Sequence, residues 1–227
     1  MGETIRQRAR RLADEAWARG DATGWFDLLY AGAAGRPDRI PWADMRPNPN
    51  LVEWMSRAAL EGTGQRALVV GCGLGDDAEA LAGAGFEVVA FDVSAAAIAW
   101  CRTRFPGSPV RYVNADLLAP PPDWQAVFDF VLEAYTLQAL PPGVRPQAVE
   151  RVAGFVAPGG TLLVICRARN TEDDPGGFPW PLTRAEVDLF GRHELTETGF
   201  DDYIDTSGAS AVRRFRAAYR KRPAPGA

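Results

Sequence analysis

A doubly wound α/β domain carrying a seven-stranded, mostly parallel sheet is what this sequence predicts, and three observations predict it. Apolar runs of strand length alternate with helical patterns from residue 66 to residue 168. A glycine-rich turn joins the first of those strands to its helix. Two β-like runs close the chain with too few residues between them for a crossover helix, so one strand must run antiparallel.

Each element has its own warrant. Ile5, Ala9, Leu12 and Ala16 recur at helical spacing, which predicts an amphipathic helix over residues 4 to 19, stopped by Gly20. Trp25 to Tyr30 suits a short second helix, and residues 31 to 49 read as a loop rich in Gly and Pro that carries Trp42. Asn48 followed by Pro49 is a cap residue before a first-turn proline, and Leu51, Trp54, Met55 and Ala58 share one face of the helix it starts. The alternation then runs strand 66 to 71, helix 76 to 84, strand 87 to 92, helix 95 to 105, strand 110 to 114, strand 128 to 133, helix 145 to 155 and strand 161 to 168. Thr183 with Glu186 forms a capping box that begins a helix over 184 to 191. Phe200 to Asp205 and Val212 to Tyr219, separated by residues 206 to 210, pair as the closing hairpin. Residues 1 to 60 are expected to form a helical cover and substrate-access segment, and residues 61 to 227 the sheet domain.

Composition narrows the function. With 227 residues the chain can bury one substantial core. A formal net charge of -4 argues against a surface that tracks phosphates, so nucleic acid is not an expected partner. Cys72, Cys101 and Cys166 lack metal-ligand spacing and read as reduced core residues; no metal is expected. The first eleven residues are Arg-rich without an apolar segment, and no stretch is long and apolar enough for a membrane span, so the expected compartment is cytoplasmic.

The glycine turn carries the chemistry. Ala67 to Val70 ends in Gly71, Gly73 and Gly75, and Asp76 and Asp77 open the following helix. Glycines there permit unusual backbone angles and close approach of a ligand to the main chain. Val88 to Asp92 is the next parallel strand, ending in a carboxylate that can accept from both hydroxyls of a ribose. A dinucleotide fingerprint would place its third glycine at position 76. The Asp found there, with Asp77, would repel a diphosphate but suits a phosphate-free, cationic ligand such as S-adenosylmethionine.

Four motifs in order, Val70 to Gly75, Phe91-Asp92, Asn114 to Leu117 and Val156 to Leu163, resemble those of the class I S-adenosylmethionine-dependent methyltransferases, a Rossmann-like fold, over nearly all of residues 60 to 222. The resemblance implies that Gly71, Cys72, Gly73 and Gly75 approach the methionine part of the cofactor, that Asp92 holds the ribose with Val93 packed on the adenine, and that Asp116 and the Leu117 main chain read the adenine edge. At the end of the fourth strand it points to Glu133, Tyr135 and Gln138: Glu133 for the cofactor's ammonium or as a proton acceptor, Tyr135 as a second acid/base candidate that also contacts substrate. The Asn/Asp-Pro-Pro-Tyr motif of base methyltransferases is replaced by Glu133-Ala-Tyr-Thr136. The segments around Trp25 and Trp42 are similar to the covering region of the thiopurine and thiol methyltransferase group. That implies Trp25 and Trp42 beside the cofactor, with Trp42 and Trp180 also at a small-molecule acceptor, a thiol among the candidates. Residues 170 to 181, acidic and glycine-rich, read either as a lid over the substrate or as an ordinary loop. His193 reads as a surface helix end, and Arg213 to Arg222 as the solvated side of the last strand. A nicotinamide-dependent oxidoreductase and a non-catalytic cofactor-binding module are the competing readings.

Overall fold

The computed structural model describes residues 2–174, 176–208 and 210–224. Position 175 of the expected lid or loop and position 209 of the expected hairpin connection lie outside the described residues, as do the extreme ends of the two expected segments, positions 1 and 225 to 227.

Three helices, α1 (Ile5–Trp17), α2 (Trp25–Ala33) and α3 (Pro49–Arg57), precede the sheet. The strands are β1 (Arg66–Val70), β2 (Glu87–Asp92), β3 (Arg111–Asn114), β4 (Phe128–Ala134), β5 (Val156–Arg167), β6 (Leu195–Asp205) and β7 (Val212–Lys221). The helices that alternate with them are α4 (Asp76–Gly83), α5 (Ala95–Arg104), α6 (Arg145–Phe155) and the short α7 (Arg184–Val187). The sheet order is β3-β2-β1-β4-β5-β7-β6, parallel from β3 through β5, with β7 antiparallel to both of its neighbours. One reversed strand, supplied by the C-terminal hairpin, is what the sequence predicts.

Both faces of the sheet are covered, which is why its central strands read as continuous apolar runs. One core packs Val131, Leu162, Val164 and Phe215 against α6; the other packs Leu68's neighbours Ala67 and Val69 with Phe130, Leu132 and Ile165 against α3, α4 and α5. A third cluster joins α1 and α2, through Ala13, Trp25, Leu29 and Tyr30, to Leu74 and Ala97 of the sheet domain.

Three boundaries differ from expectation. β5 begins at Val156, opposite Phe128, and its ladder is then interrupted before resuming at Thr161. Gly159 has φ +75°, and a Cβ on Gly160 would stand 2.9 Å from the carbonyl oxygens of Ala157 and Phe128; the Pro-Gly-Gly sequence is a bulge inside the strand rather than a turn before it. β6 begins at Leu195, because a bulge between Glu197 and Gly199 lets its pairing with β7 continue to Lys221. The helix after Thr183 keeps its capping box but is α-helical only to Val187, with a 3-10 stretch over Asp188–His193. Arg216 corrects the reading of the last strand as solvated: it is 3% exposed and donates to Asp201 (2.7 and 2.9 Å) and to the Asn50 carbonyl (2.9 Å).

Candidate active site

The residues singled out in the sequence gather at the carboxyl end of the parallel strands, where a doubly wound sheet opens its crevice. They fall into three neighbouring groups.

The first is the turn after β1. Gly71, Gly73 and Gly75 all have positive φ, +59°, +52° and +89°, a conformation that a side chain strongly disfavours. The turn is locked from within. Cys72 N-H donates to the Phe91 carbonyl (2.8 Å), and the Cys72 carbonyl accepts from Gly75 N-H (3.0 Å). Asp92 reaches across from the end of β2. Its two oxygens accept from Gly73 N-H and Ser94 N-H, each at 2.9 Å. Each oxygen therefore keeps a second lone pair, as a pair of ligand hydroxyls requires. Burial pushes the Asp92 pKa up to about 6, against the opposing pull of those two N-H groups. Asn114 of β3 donates to the Asp92 and Val93 carbonyls (3.0 and 2.8 Å) and fixes the segment on which Val93 stands. Asp116 turns the chain after β3 by accepting from Leu118 N-H (2.9 Å), and Leu117 beside it is buried.

The two acids at the start of α4 have partners. Asp76 is bound bidentately by Arg104 (2.8 and 2.8 Å), so its charge is largely neutralised and repels an anion less than the sequence suggested. Asp77 accepts from the Asn48 main-chain N-H (2.6 Å) and ties α3 to α4; burial pushes its pKa up to about 6.

Over the turn lies α2. Asp27 accepts from Ser94 Oγ (2.8 Å) and Ala96 N-H (3.0 Å), so a residue of the cover caps the start of α5. A Cβ on Gly73 would stand 3.0 Å from the Tyr30 hydroxyl. Tyr30 accepts from Trp42 Nε1-H (2.8 Å), and its own pKa is raised, mainly by burial and then by the Asp92 charge. Trp25 is fully buried among Trp17, Trp42 and Phe178, and its indole N-H has no partner.

The second group surrounds Tyr135. This residue has φ +65°, rare for an aromatic side chain and a sign of local strain held by its surroundings. Its hydroxyl accepts from Asn50 Nδ2 (3.3 Å), and burial pushes its pKa up to about 12. Asn50 is buried and also donates to Asp205 (3.2 Å) while accepting from the Tyr203 hydroxyl. Arg214 pairs with Asp205 (2.6 Å) and lies 4.9 Å from the centre of the Tyr135 ring.

The third group stands where β4 and β5 end. Glu133 is fully buried, in register with Val70 of β1 and Val164 of β5. One oxygen caps the next turn by accepting from Leu137 N-H (2.9 Å), the other is sealed without a partner, and burial pushes the pKa up to about 7. The Gln138 carboxamide oxygen accepts from Arg167 N-H (2.7 Å), and the Gln138 carbonyl accepts from Trp180 N-H (2.9 Å). Trp180 packs on Trp17 at 4.8 Å, so the segment expected as a lid or loop touches α1. His193 stands at the end of its 3-10 stretch, away from these groups, and its carbonyl accepts from Lys221.

Sequence reasoning missed Tyr30, Asp27, Asn50 and Asp205. Their place in the site is not marked in sequence, because Asp27 meets Ser94, Tyr30 meets Gly73 and Asn50 meets Asp205 across long spans of chain. A cavity of about 250 Å³ lies elsewhere, lined by Arg169 after β5 and by Phe200 and Phe215 of the hairpin. Among the described residues no group of three or more His, Cys, Asp or Glu is placed to hold a metal, and no helix is long and apolar enough to cross a membrane.

The residues fit a nucleoside-bearing cation. Asp92 presents spare acceptor capacity beside a glycine turn into which no Cβ fits, and Trp25 Nε1, Asn48 Nδ2 and Glu133 Oε2 are buried polar atoms without partners at the same end.

Comparison with known proteins agrees. Residues 67–160 match the family model described as a methyltransferase domain. The chain is similar to a probable thiol methyltransferase of Arabidopsis thaliana, 27% identical over 82% of this chain and 78% of that one. Its fold is that of a protein solved in work on conversion of a disulfide bond into a thioacetal group during echinomycin biosynthesis (TM-score 0.72, 21% identity, 88% and 91% of the two chains). It is also that of the N-methyltransferase NodS from Bradyrhizobium japonicum, solved with S-adenosyl-L-homocysteine (TM-score 0.63, 19% identity, 97% and 99% of the chains). Residues 67–160 thus form a methyltransferase domain, the chain is an enzyme that uses S-adenosylmethionine, and over its length it resembles the S-adenosylmethionine-dependent methyltransferases.

Proposed function

We propose that this cytoplasmic enzyme methylates a small-molecule nucleophile and that the nucleophile is a thiol. The observation that carries the reading is the pairing of a locked glycine turn and its Asp92 carboxylate with an acceptor end that lacks an accessible proton acceptor. In the proposed assignment Gly71, Cys72, Gly73 and Gly75 line the methionine part of the cofactor. Asp92 accepts from the ribose, Val93, Asp116 and Leu117 surround the adenine, and Trp25, Trp42 and Glu133 complete the enclosure. Residues 1 to 60 serve as the cover, and Trp42, Tyr135, Gln138 and Trp180 border the acceptor.

S-adenosylmethionine, when bound, supplies an electrophilic methyl group on a sulfonium. The chain's own residues then have to align a nucleophile and exclude water, work for which orientation alone is worth up to about 7 to 11 kcal/mol. A strong base is not among them. Tyr135 holds its proton to about pH 12, and Glu133 is sealed from solvent with one oxygen committed to Leu137. A thiol, already partly ionised near neutrality, needs no base; an alcohol does. Similarity to the Arabidopsis probable thiol methyltransferase supports the same acceptor class.

The test is direct. Calorimetry should show S-adenosylhomocysteine binding and no NAD binding, and mass spectrometry of reactions with matched aryl thiols, phenols and anilines should show product with the thiols. Methylation of phenols or anilines in preference to thiols overturns the acceptor; NAD binding alone overturns the assignment of the site.

A further inference from the structure

Arg167 is the last residue of β5 and ends at the same edge of the sheet as Tyr135. Its main chain is committed: the N-H donates to Gln138 and the carbonyl accepts from Leu182 N-H (2.8 Å). Its guanidinium is not. Among the described residues no carboxylate lies within 4.0 Å of it, and none of its nitrogens is sealed from solvent.

The surroundings sharpen this. In the β5-β7 ladder Arg167 stands directly opposite Arg214, and like charges directly opposite one another destabilise a sheet. Burial lowers the Arg167 pKa first, and repulsion from Arg214 and then Arg6 adds to it. The acids that would offset the charge are engaged elsewhere. Asp205 is held by Arg214, Asn50 and Ser207, Asp202 by Arg213, Asp201 by Arg216, and Glu186 by Arg145. A chain with 29 acidic and 25 basic residues thus leaves one half-buried arginine uncompensated at its acceptor end. Beside it Tyr135 accepts from Asn50 through its hydroxyl oxygen and keeps its proton, which leaves it a donor toward a ligand.

We propose that Arg167 is a specificity-determining residue that pairs with a carboxylate on the acceptor, so that the preferred substrate is an anionic thiol acid rather than a neutral thiol. The inference rests on the thiol reading above for the identity of the nucleophile but not for the charge it recognises. The carboxylate is a spectator. The thiol proton passes to solvent, the sulfur-to-methyl bond forms as the methyl-to-sulfonium bond breaks, and that bond's electron pair stays on the leaving thioether.

Two measurements decide it. In the cofactor-free protein, benzoate and benzamide serve as matched probes differing in charge, read by thermal shift. Wild type should be stabilised by benzoate and not by benzamide, Arg167→Met should lose the benzoate response, and Arg167→Lys should keep part of it. In turnover, the ratio of kcat/KM for 4-mercaptobenzoate over 4-mercaptobenzamide should fall about tenfold to a hundredfold in Arg167→Met, the loss of one charged hydrogen-bond pair, with most of the change in KM. Equal responses to both probes, or a benzoate response that survives Arg167→Met, overturns the proposal. If neither thiol is methylated while S-adenosylhomocysteine still binds, the thiol reading falls, and the benzoate arm still decides Arg167. The lysine variant guards against misfolding: a benzoate response lost in both variants, with melting temperatures intact, points away from charge recognition and also overturns it.

Discussion

Asp92→Asn is the substitution whose consequences can be worked furthest. The side chain keeps its shape, and one of its two turn contacts, to Gly73 or Ser94, survives on the carboxamide oxygen. The other edge becomes an N-H₂ facing an N-H. Two ligand hydroxyls that would donate to a carboxylate at about 1.5 to 3 kcal/mol each meet instead a neutral group, half of it a donor. The expected loss is about 2 to 4 kcal/mol, or roughly 30- to 1,000-fold in Kd for S-adenosylhomocysteine by calorimetry at pH 7.5. Stability should move differently. Burial raises Asp92 from an ordinary 3.8 to about 6, so the folded state prefers the protonated form. Its contribution is full below about pH 3.8 and is lost as pH rises through about 6, an amount near 3 kcal/mol. Above that pH the ionised, ligand-free site weighs on the fold, and the asparagine variant escapes it. Wild-type stability measured by urea should therefore fall relative to the variant between pH 5 and pH 8, while wild-type cofactor affinity should rise over the same range as the carboxylate forms. A variant Kd within threefold of wild type would refute the assignment of Asp92, as would a wild-type affinity flat from pH 5 to pH 8.

Gly73→Ala places a methyl group at φ +52° and 3.0 Å from the Tyr30 hydroxyl; cofactor affinity should drop at least tenfold by calorimetry, with a melting temperature lower by several degrees. Tyr30→Phe removes the acceptor of Trp42 Nε1-H. Stability should fall by about 1 kcal/mol, and the tryptophan emission should shift to the red as Trp42 loosens. Arg216→Met leaves the Asn50 carbonyl without this donor, but Asp201 keeps Arg57 (3.4 Å) and is 37% exposed to water, so urea denaturation should show a loss of about 1 to 3 kcal/mol rather than the larger cost of a sealed pair. That loss would confirm that the basic run of β7 is built into the fold.

The parts of this molecule that were readable in its sequence are those whose cause is local. The turn from Gly71 to Gly75 is readable because positive φ demands glycine at those positions, and the starts of α3 and of α7 because Asn48 and Thr183 satisfy N-H groups two or three residues away. Burial on both faces made β1, β2 and β4 legible as apolar runs. The hairpin was legible as a hairpin but not in extent, because the ladder from Leu195 to Lys221 depends on a bulge that no residue announces. Arg216 was misjudged for a related reason: its alternation on β7 is visible, but that α3 covers this face of the strand is set by the packing of a helix more than 150 residues earlier in the chain. Asp27 and Tyr30 were invisible because the sequence gives no register between α2 and the start of α5.

The site that results is divided by charge, and the division bears on its chemistry. Around the glycine turn and the end of β4 stand three buried carboxyl groups, Asp92, Asp77 and Glu133. Around Tyr135 stand two arginines, Arg214 over its ring with its charge matched by Asp205, and Arg167 opposite Arg214 without a carboxylate partner. Under the proposed reading the first half holds a positively charged donor and the second an anionic nucleophile, and each half favours its ligand by what it lacks as much as by what it has. Transfer of the methyl group cancels the sulfonium charge and the thiolate charge together. In a site closed over by α2 and the tryptophan cluster, a reaction that annihilates opposite charges is helped by the exclusion of water. Both sulfurs are neutral afterwards, so the attractions that brought donor and nucleophile together no longer hold the products at the reacting centre. The carboxylate on Arg167 survives the reaction, which makes its dissociation the step where an acceptor that binds too well would slow the enzyme.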